Sequence, residues 1–183
     1  MKFTLLVLLF SLSLQVMSSV TVVMETTKGI IEIELDEVKA PITVENFLAY
    51  VDVNFYTGTL FHRTIKNFVV QGGGVLPDMT EKPTNAPIKN EALNGLSNLR
   101  GTIGMAREND PDTATAQFFI NTVDNVRLDH QPTNSQRFGY AVFGKVTEGM
   151  EVVDMIENAA THTVGEYENT PIEQIIILSV RRK

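Results

Sequence analysis

The hydrophobic and polar positions of this 183-residue chain fall into short blocks, most of them with a period of two. Residues 20–27 are strand-like and open on the β-branched run VTVV, Lys28-Gly29 marks a turn, and residues 30–35 (IIEIEL) alternate apolar with acidic. Two such runs about a short Gly-containing turn predict a β-hairpin. The period then lengthens. Across residues 41–51, Val44, Phe47, Leu48 and Val51 recur at helical spacing, with Thr43 as the expected N-cap. Residues 60–71 hold two short strand-like pieces ended by Gly72-Gly73-Gly74, and residues 75–100, rich in Pro, Asn and Gly, read as ordered loops. Further strands are expected at 101–106, 117–122 and 140–146. A second helix is expected at 149–158, with Val152, Val153 and Ile156 on one face, and a closing strand at 172–180. No internal repeat, low-complexity tract or linker breaks the series. Seven or more short strands and two helices predict a mainly β fold, a closed antiparallel barrel capped by helices, because closure removes exposed sheet edges.

The first segment is of another kind. After Met1-Lys2, residues 3–14 (FTLLVLLFSLSL) are almost wholly apolar. One basic residue ahead of a short hydrophobic run has the shape of a secretory signal peptide. Cleavage after Ser18 places Val16 and Ser18 at the −3 and −1 positions, so residues 1–18 are expected as a leader and 19–183 as the mature domain. The competing reading is an uncleaved anchor through residues 3–24, since no charge falls between Lys2 and Glu25. Gln15, Ser18, Ser19 and Thr21 interrupt that run, and residues 20–23 (VTVV) suit a first strand better. The expected location is periplasmic or secreted, with no stable membrane insertion after cleavage.

Composition narrows the chemistry. With 43% hydrophobic and 20% charged residues the chain resembles a soluble globular domain, and its net charge of −7 offers no basic excess for phosphates. Nucleic acid is therefore not an expected partner. The absence of cysteine excludes disulfides, thiolate nucleophiles and Cys-ligated zinc. Only three histidines occur, His62, His130 and His162, and their separation argues against a His-rich metal site. Gly72-Gly73-Gly74 is followed by neither a helical pattern nor Lys-Ser/Thr, which argues against a phosphate-binding loop.

The residues that remain conspicuous are polar groups set in apolar strands. In FHRTIKNFVVQGG (61–73), alternation puts Arg63 and Gln71 among apolar neighbours, and in QFFINT (117–122) Gln117 precedes an aromatic strand. Taken singly, Arg63 reads as a solvated edge charge, Phe68 and Phe119 as core packing, His62 as a structural histidine, and His130 and His162 as surface residues. Taken together with GTIGMA (101–106) and GYAVFGKVTEGMEVVDMI (139–156), these segments resemble the cyclophilin family of peptidyl-prolyl isomerases. The likeness runs in order from about residue 20 to the C-terminus, and with LDH (128–130) the short form is most similar to bacterial members. The resemblance implies an eight-stranded antiparallel barrel with two capping helices and a substrate groove on its outer face. It also implies a monomeric isomerase that needs no cofactor and takes proline-containing polypeptides as substrates.

Matched residue by residue, the family's catalytic arginine falls on Arg63 and its proline pocket on Phe68, Val69, Phe119 and Leu128. The polar groove residues fall on Gln71 and Gln117, the substrate-pairing backbone on Ala106 and Arg107, and Tyr140 stands where members carry His or Tyr. Val69 replaces a frequent Met. Arg127 occupies a position often held by Trp, or by Phe in some bacterial members, and residues 130–138 (HQPTNSQRF) are longer than in short members. Two other classes fit the bare pattern. A proline-peptide binding module that keeps the groove but turns over poorly is favoured by Arg127 alone. A β-barrel carrier for a small apolar ligand leaves Arg63 unexplained.

Overall fold

The N-terminal alternation folds as a hairpin. Strand β1 (Val20–Thr26) and strand β2 (Gly29–Leu35) pair antiparallel, with Val22 against Ile33 and Met24 against Ile31. The Thr26 hydroxyl closes the turn, donating to Gly29 O at 2.8 Å and accepting from the backbone N–H groups of Lys28 and Gly29. This computed structural model describes residues 20–131 and 138–183, so the expected leader and residues 132–137 lie outside the described residues. After the hairpin come helix α1 (Pro41–Asp52), the short strands β3 (Arg63–Ile65), β4 (Val69–Gly72), β5 (Thr102–Met105) and β6 (Phe118–Asn121), then β7 (Val142–Glu148) and helix α2 (Met150–Glu157). Strands β8 (Thr161–Val164), β9 (Tyr167–Pro171) and β10 (Ile177–Arg182) complete the chain. Eight strands form one antiparallel sheet in the order β10-β1-β2-β7-β5-β6-β4-β3, and β8 pairs only with β9.

The expected closed barrel is a half-barrel instead. Strands β3 and β10 are the two edges of the curled sheet, and no ladder joins them. Loop backbone ahead of β3 occupies the gap. Gly58 N–H donates to Ile177 O at 2.8 Å, Ile177 N–H to Thr59 O at 2.8 Å, and Phe61 N–H to Ile175 O at 2.9 Å. A three-residue β3 is too short to close the sheet, and this strip satisfies the edge in its place. The strip also delays the closing strand, which starts at Ile177 rather than at 172, because residues 175–177 bond across the gap. The β8–β9 hairpin was not foreseen. Its segment THTVGEYENTP is largely exposed and lacks the apolar alternation that marks a half-buried strand.

Helix α1 begins two residues before the expected cap. Pro41 takes the first turn, which needs no N–H there, and Ala40 at the N-cap provides no side-chain acceptor. The acceptor comes from a distant loop. Glu91 receives Ile42 N–H at 3.1 Å and Thr43 N–H at 2.8 Å, and the Thr43 hydroxyl donates to the same carboxylate at 2.7 Å. Thr43 is thus a donor inside the helix and not its cap. An anion at a helix N-terminus also meets the positive end of the macrodipole.

Both helices press apolar faces onto the concave side of the sheet. Val44, Phe47 and Val51 of α1 and Val153 and Ile156 of α2 join Met24, Ile33, Val70, Ile103, Phe118 and Ile120 in one buried cluster. Phe47 meets Phe118 edge-on, with centroids 5.9 Å apart. Full burial of such a ring contributes about 1.5–3 kcal/mol. Strand alternation then divides neighbours between two environments. Val70, Phe118 and Ile120 belong to that cluster, whereas Val69 and Phe119 are just as buried yet stand outside it. Something on the other face of the sheet covers them, and that is where the polar residues gather.

Candidate active site

Cross-strand register assembles the site. Arg63 on β3 lies opposite Gln71 on β4, Gln71 opposite Phe119 on β6, and Phe119 opposite Gly104 on β5. Directly opposed residues share a face, and Val69, two positions from Gln71, shares it too. The half-buried Arg63 donates from Nη1 to Gln71 Oε1 at 3.3 Å. Gln71 Nε2 donates to Gln117 Oε1 at 3.1 Å, and Gln117 Nε2 donates to Glu81 Oε1 at 3.3 Å. Every donor in this relay points the same way, from guanidinium to carboxylate. Among the described residues the Arg63 fork makes no other hydrogen bond, so most of its donors are unspent.

The glycine run before residue 75 makes the relay possible. Gly73 has φ +87°, and a Cβ there would sit 2.6 Å from Phe118 Cε1. A Cβ on Gly74 would sit 2.6 Å from Gln117 Cγ, so only glycine lets Gln117 lie across the exit of β4 and reach Gln71. The run serves packing.

An apolar socket adjoins the relay. Val69 is 3% and Phe119 4% exposed. Phe119 meets Tyr140 edge-on at 5.6 Å, and Tyr140 N–H donates to Leu128 O at 2.9 Å. Leu128 ends a 3-10 turn (Val126–Leu128) whose Arg127 guanidinium lies 4.5 Å over the ring of Phe68, the residue before Val69. These contacts run in a ring from Phe119 through Tyr140, Leu128, Arg127 and Phe68 back to Val69. Ala106 continues β5 along the groove, its N–H given to Gln117 O at 2.9 Å. The Arg107 side chain is a brace, donating from Nε to Gly139 O at 3.0 Å and from Nη1 to Glu108 O at 2.6 Å, with its guanidinium 4.5 Å over Tyr140. All ten residues assigned from the sequence therefore line one face of the sheet or the loops beside it.

Comparison with known proteins agrees with this geometry. Residues 21–182 match the family described as "Cyclophilin type peptidyl-prolyl cis-trans isomerase/CLD". The chain belongs to the cyclophilins. Over 172 residues it is 53% identical to "Peptidyl-prolyl cis-trans isomerase A" of Dickeya dadantii, covering 94% of this chain and 89% of that one. Over 159 residues it is 50% identical to "Peptidyl-prolyl cis-trans isomerase B" of Escherichia coli, covering 87% and 97%. A solved cyclophilin of Cryptosporidium parvum, crystallised in the presence of the dipeptide Ala-Pro, superposes with a TM-score of 0.76 at 29% identity, covering 89% of this chain and 98% of that one. This cyclophilin is thus an enzyme that needs no cofactor, and it acts on proline-containing polypeptides.

Two parts of the cyclophilin groove escaped sequence reasoning. Glu81, which ends the relay, sits in a loop with no periodic signal. A chain of buried amides holds the turn that carries Arg127 and Leu128. Asn125 Nδ2 donates to Asn121 Oδ1 at 2.8 Å, Asn121 Nδ2 to Asn98 Oδ1 at 3.2 Å, and Asn98 Nδ2 to Asp129 Oδ1 at 2.9 Å. Asn98 and Asn125 lie in loop sequence that reads as turn formers, and partners this distant in the chain leave no local trace.

The histidines also differ from expectation. His62 is buried as a structural residue would be, but its Nδ1 meets no hydrogen-bond partner of good geometry among the described residues. Burial, aided by the charge of Arg63, lowers its pKa to about 4. His162 is exposed as expected, whereas His130 is half-buried with Nδ1 2.7 Å from Phe138 O.

Proposed function

We propose that Arg63 is the catalytic residue of this isomerase and that it acts on exported polypeptides. An amide resists rotation by about 18–20 kcal/mol because the nitrogen lone pair is shared with the carbonyl. For X–Pro the cis form costs only about 0.5–1 kcal/mol, so the obstacle is kinetic. No bond breaks, and the enzyme needs neither nucleophile nor general base. It must bind the twisted imide more tightly than either planar form. As resonance is lost the prolyl nitrogen becomes pyramidal and basic. A guanidinium fixed beside it donates a hydrogen bond to an acceptor that exists only in the transition state. Arg63 suits this role because it stays charged and its planar fork is rigid.

The other residues prepare that contact. Gln71 and Gln117 hold the Arg63 fork in line. Phe68, Val69, Phe119 and Leu128 grip the proline ring while the preceding carbonyl turns, and by excluding water they strengthen the Arg63 hydrogen bond. Tyr140 backs Phe119, and the Ala106–Arg107 backbone pairs with the substrate chain. The observation that carries this reading is the aligned relay from Arg63 to Glu81 beside a socket whose Val69 and Phe119 are buried away from the core.

Export rests on the apolar segment after Lys2, with residues 1–18 as a cleaved leader. The likeness to the Dickeya protein covers 94% of this chain, so it extends into that segment. Among the described residues no helix is long and apolar enough to cross a membrane.

The test is turnover of X–Pro peptides by purified Arg63→Ala. Loss of one such donor costs about 2.7–4 kcal/mol, a fall of roughly a hundredfold to a thousandfold, with the fold kept. Turnover near the unmodified rate in a folded variant would refute the assignment.

A further inference from the structure

Arg127 belongs neither to the relay nor to the apolar lining. It is exposed, it stacks on Phe68, and it forms no hydrogen bond or ion pair among the described residues. The segments outside them, residues 1–19 and 132–137, contain no Asp or Glu that could neutralise it. Beneath it opens a depression of about 580 Å³ lined by Arg107, Glu108, Arg127, Leu128, Asp129 and Tyr140. Leu128 and Tyr140 also line the socket, so the depression continues the groove toward the residues that flank a bound proline.

The charged groups there are not equivalent. The Arg107 guanidinium is held by the carbonyls of Gly139, Glu108 and Asn109. Asp129 accepts from the Ser97 hydroxyl and from both nitrogens of Asn98. Glu108 stands exposed on the rim. Of the two cations, only Arg127 presents a fork whose N–H groups are all unspent among the described residues, and the Phe68 ring limits where that fork can go. A planar fork of this kind matches a carboxylate with two parallel hydrogen bonds. Stacking restricts the rotamers the side chain would otherwise lose on binding.

We propose that Arg127 selects the substrates of this isomerase, favouring prolines flanked by an acidic residue. The inference rests on the groove being the isomerase site. Glu108 sharpens it, since the same depression offers a rival charge whose dominance would favour basic peptides instead.

The experiment uses peptides built on a central Ala-Pro pair with Glu, Gln or Lys on either side, and cis–trans exchange followed by NMR at low ionic strength. The readout is the ratio of kcat/KM for the Glu peptide to that for the Gln peptide. The unmodified protein is expected to favour Glu by about three- to fivefold on one side of the pair, the range of a well-oriented exposed ion pair. Added salt should shrink the ratio, because the contact lies at the surface. Arg127→Gln should bring it to about one, Arg127→Lys should keep part of it, and Arg127→Glu should turn the preference toward Lys. A ratio near one in the unmodified protein, a preference for Lys, or a Glu preference unchanged in Arg127→Gln would overturn the proposal. Failure to turn over any of the three peptides would overturn the assignment of the groove itself.

Discussion

Acidification should destabilise this protein through one buried side chain. His62 enters strand β3 with 4% of its surface exposed and with no hydrogen-bond partner of good geometry for Nδ1 among the described residues, and Tyr167 stands edge-on to it at 5.9 Å. Burial is the main force that lowers its pKa to about 4, the Arg63 charge adds to it, and a backbone contact with Leu60 opposes it. In the unfolded chain the ring titrates near 6.5. Above that pH the imidazole is neutral in both states and nothing is lost. Between pH 6.5 and 4 the unfolded chain takes up a proton that the folded chain refuses, so stability falls by about 1.4 kcal/mol per pH unit. The loss is about 2 kcal/mol at pH 5, from a total of about 5–15 kcal/mol for a typical domain. Asp52 beside Arg182 and Asp112 beside Lys89 have pKa values lowered from 3.8, so their contribution is lost only under more acidic conditions. Urea unfolding of the unmodified protein and of His62→Gln at pH 7 and pH 5 isolates the effect. The unmodified protein should lose about 2 kcal/mol between the two, and the variant should lose far less. Equal stability of the unmodified protein at both pH values, or an equal loss in the variant, would refute the reasoning.

Gln71→Ala removes the acceptor that, among the described residues, holds the Arg63 fork, and kcat/KM for X–Pro peptides should fall about tenfold while Arg63 itself remains. Glu91→Ala strips the distant cap from α1 and should cost about 1–2 kcal/mol in denaturant unfolding without changing X–Pro turnover, since Glu91 lies outside the groove. Intact-mass analysis of protein recovered from its native host should give a chain starting at or near Ser19, and full-length chain in the membrane fraction would favour the anchor.

Much of the fold was legible because it rests on local periodicity. Period-two runs located β1, β2 and the strands of the site, and period-3.6 runs located both helices to within a few residues. Two of the misreadings depended on partners far away in the chain. Thr43 looked like a helix cap because nothing local announces that Glu91 folds back onto the helix. Closure of the barrel was expected because edges are costly, yet residues 58–61 satisfy that edge as loop backbone. The β8–β9 hairpin faces solvent on most positions, so it never needed the apolar alternation that marks a buried strand. The site was read from its motif strings as a resemblance, and register brings Arg63, Gln71 and Phe119 side by side on one face of the sheet. Periodicity alone made Arg63 an edge charge, because its neighbours Gln71 and Phe119 arrive through register across three strands. Glu81 and the Asn98–Asn121–Asn125 chain stayed hidden for the same reason.

That Arg63 acts on the twisted imide, and not on the planar substrate, is tested most directly by separating affinity from rotation. A peptide with one X–Pro bond is titrated into the unmodified protein and into Arg63→Ala, and NMR reads both its Kd and its cis–trans exchange rate while bound. The predicted result is a Kd within about threefold of the unmodified value, set by the intact socket, and a bound exchange rate lower by roughly a hundredfold to a thousandfold. A variant that rotates bound peptide at the unmodified rate, and loses turnover only because its Kd has weakened, would contradict it.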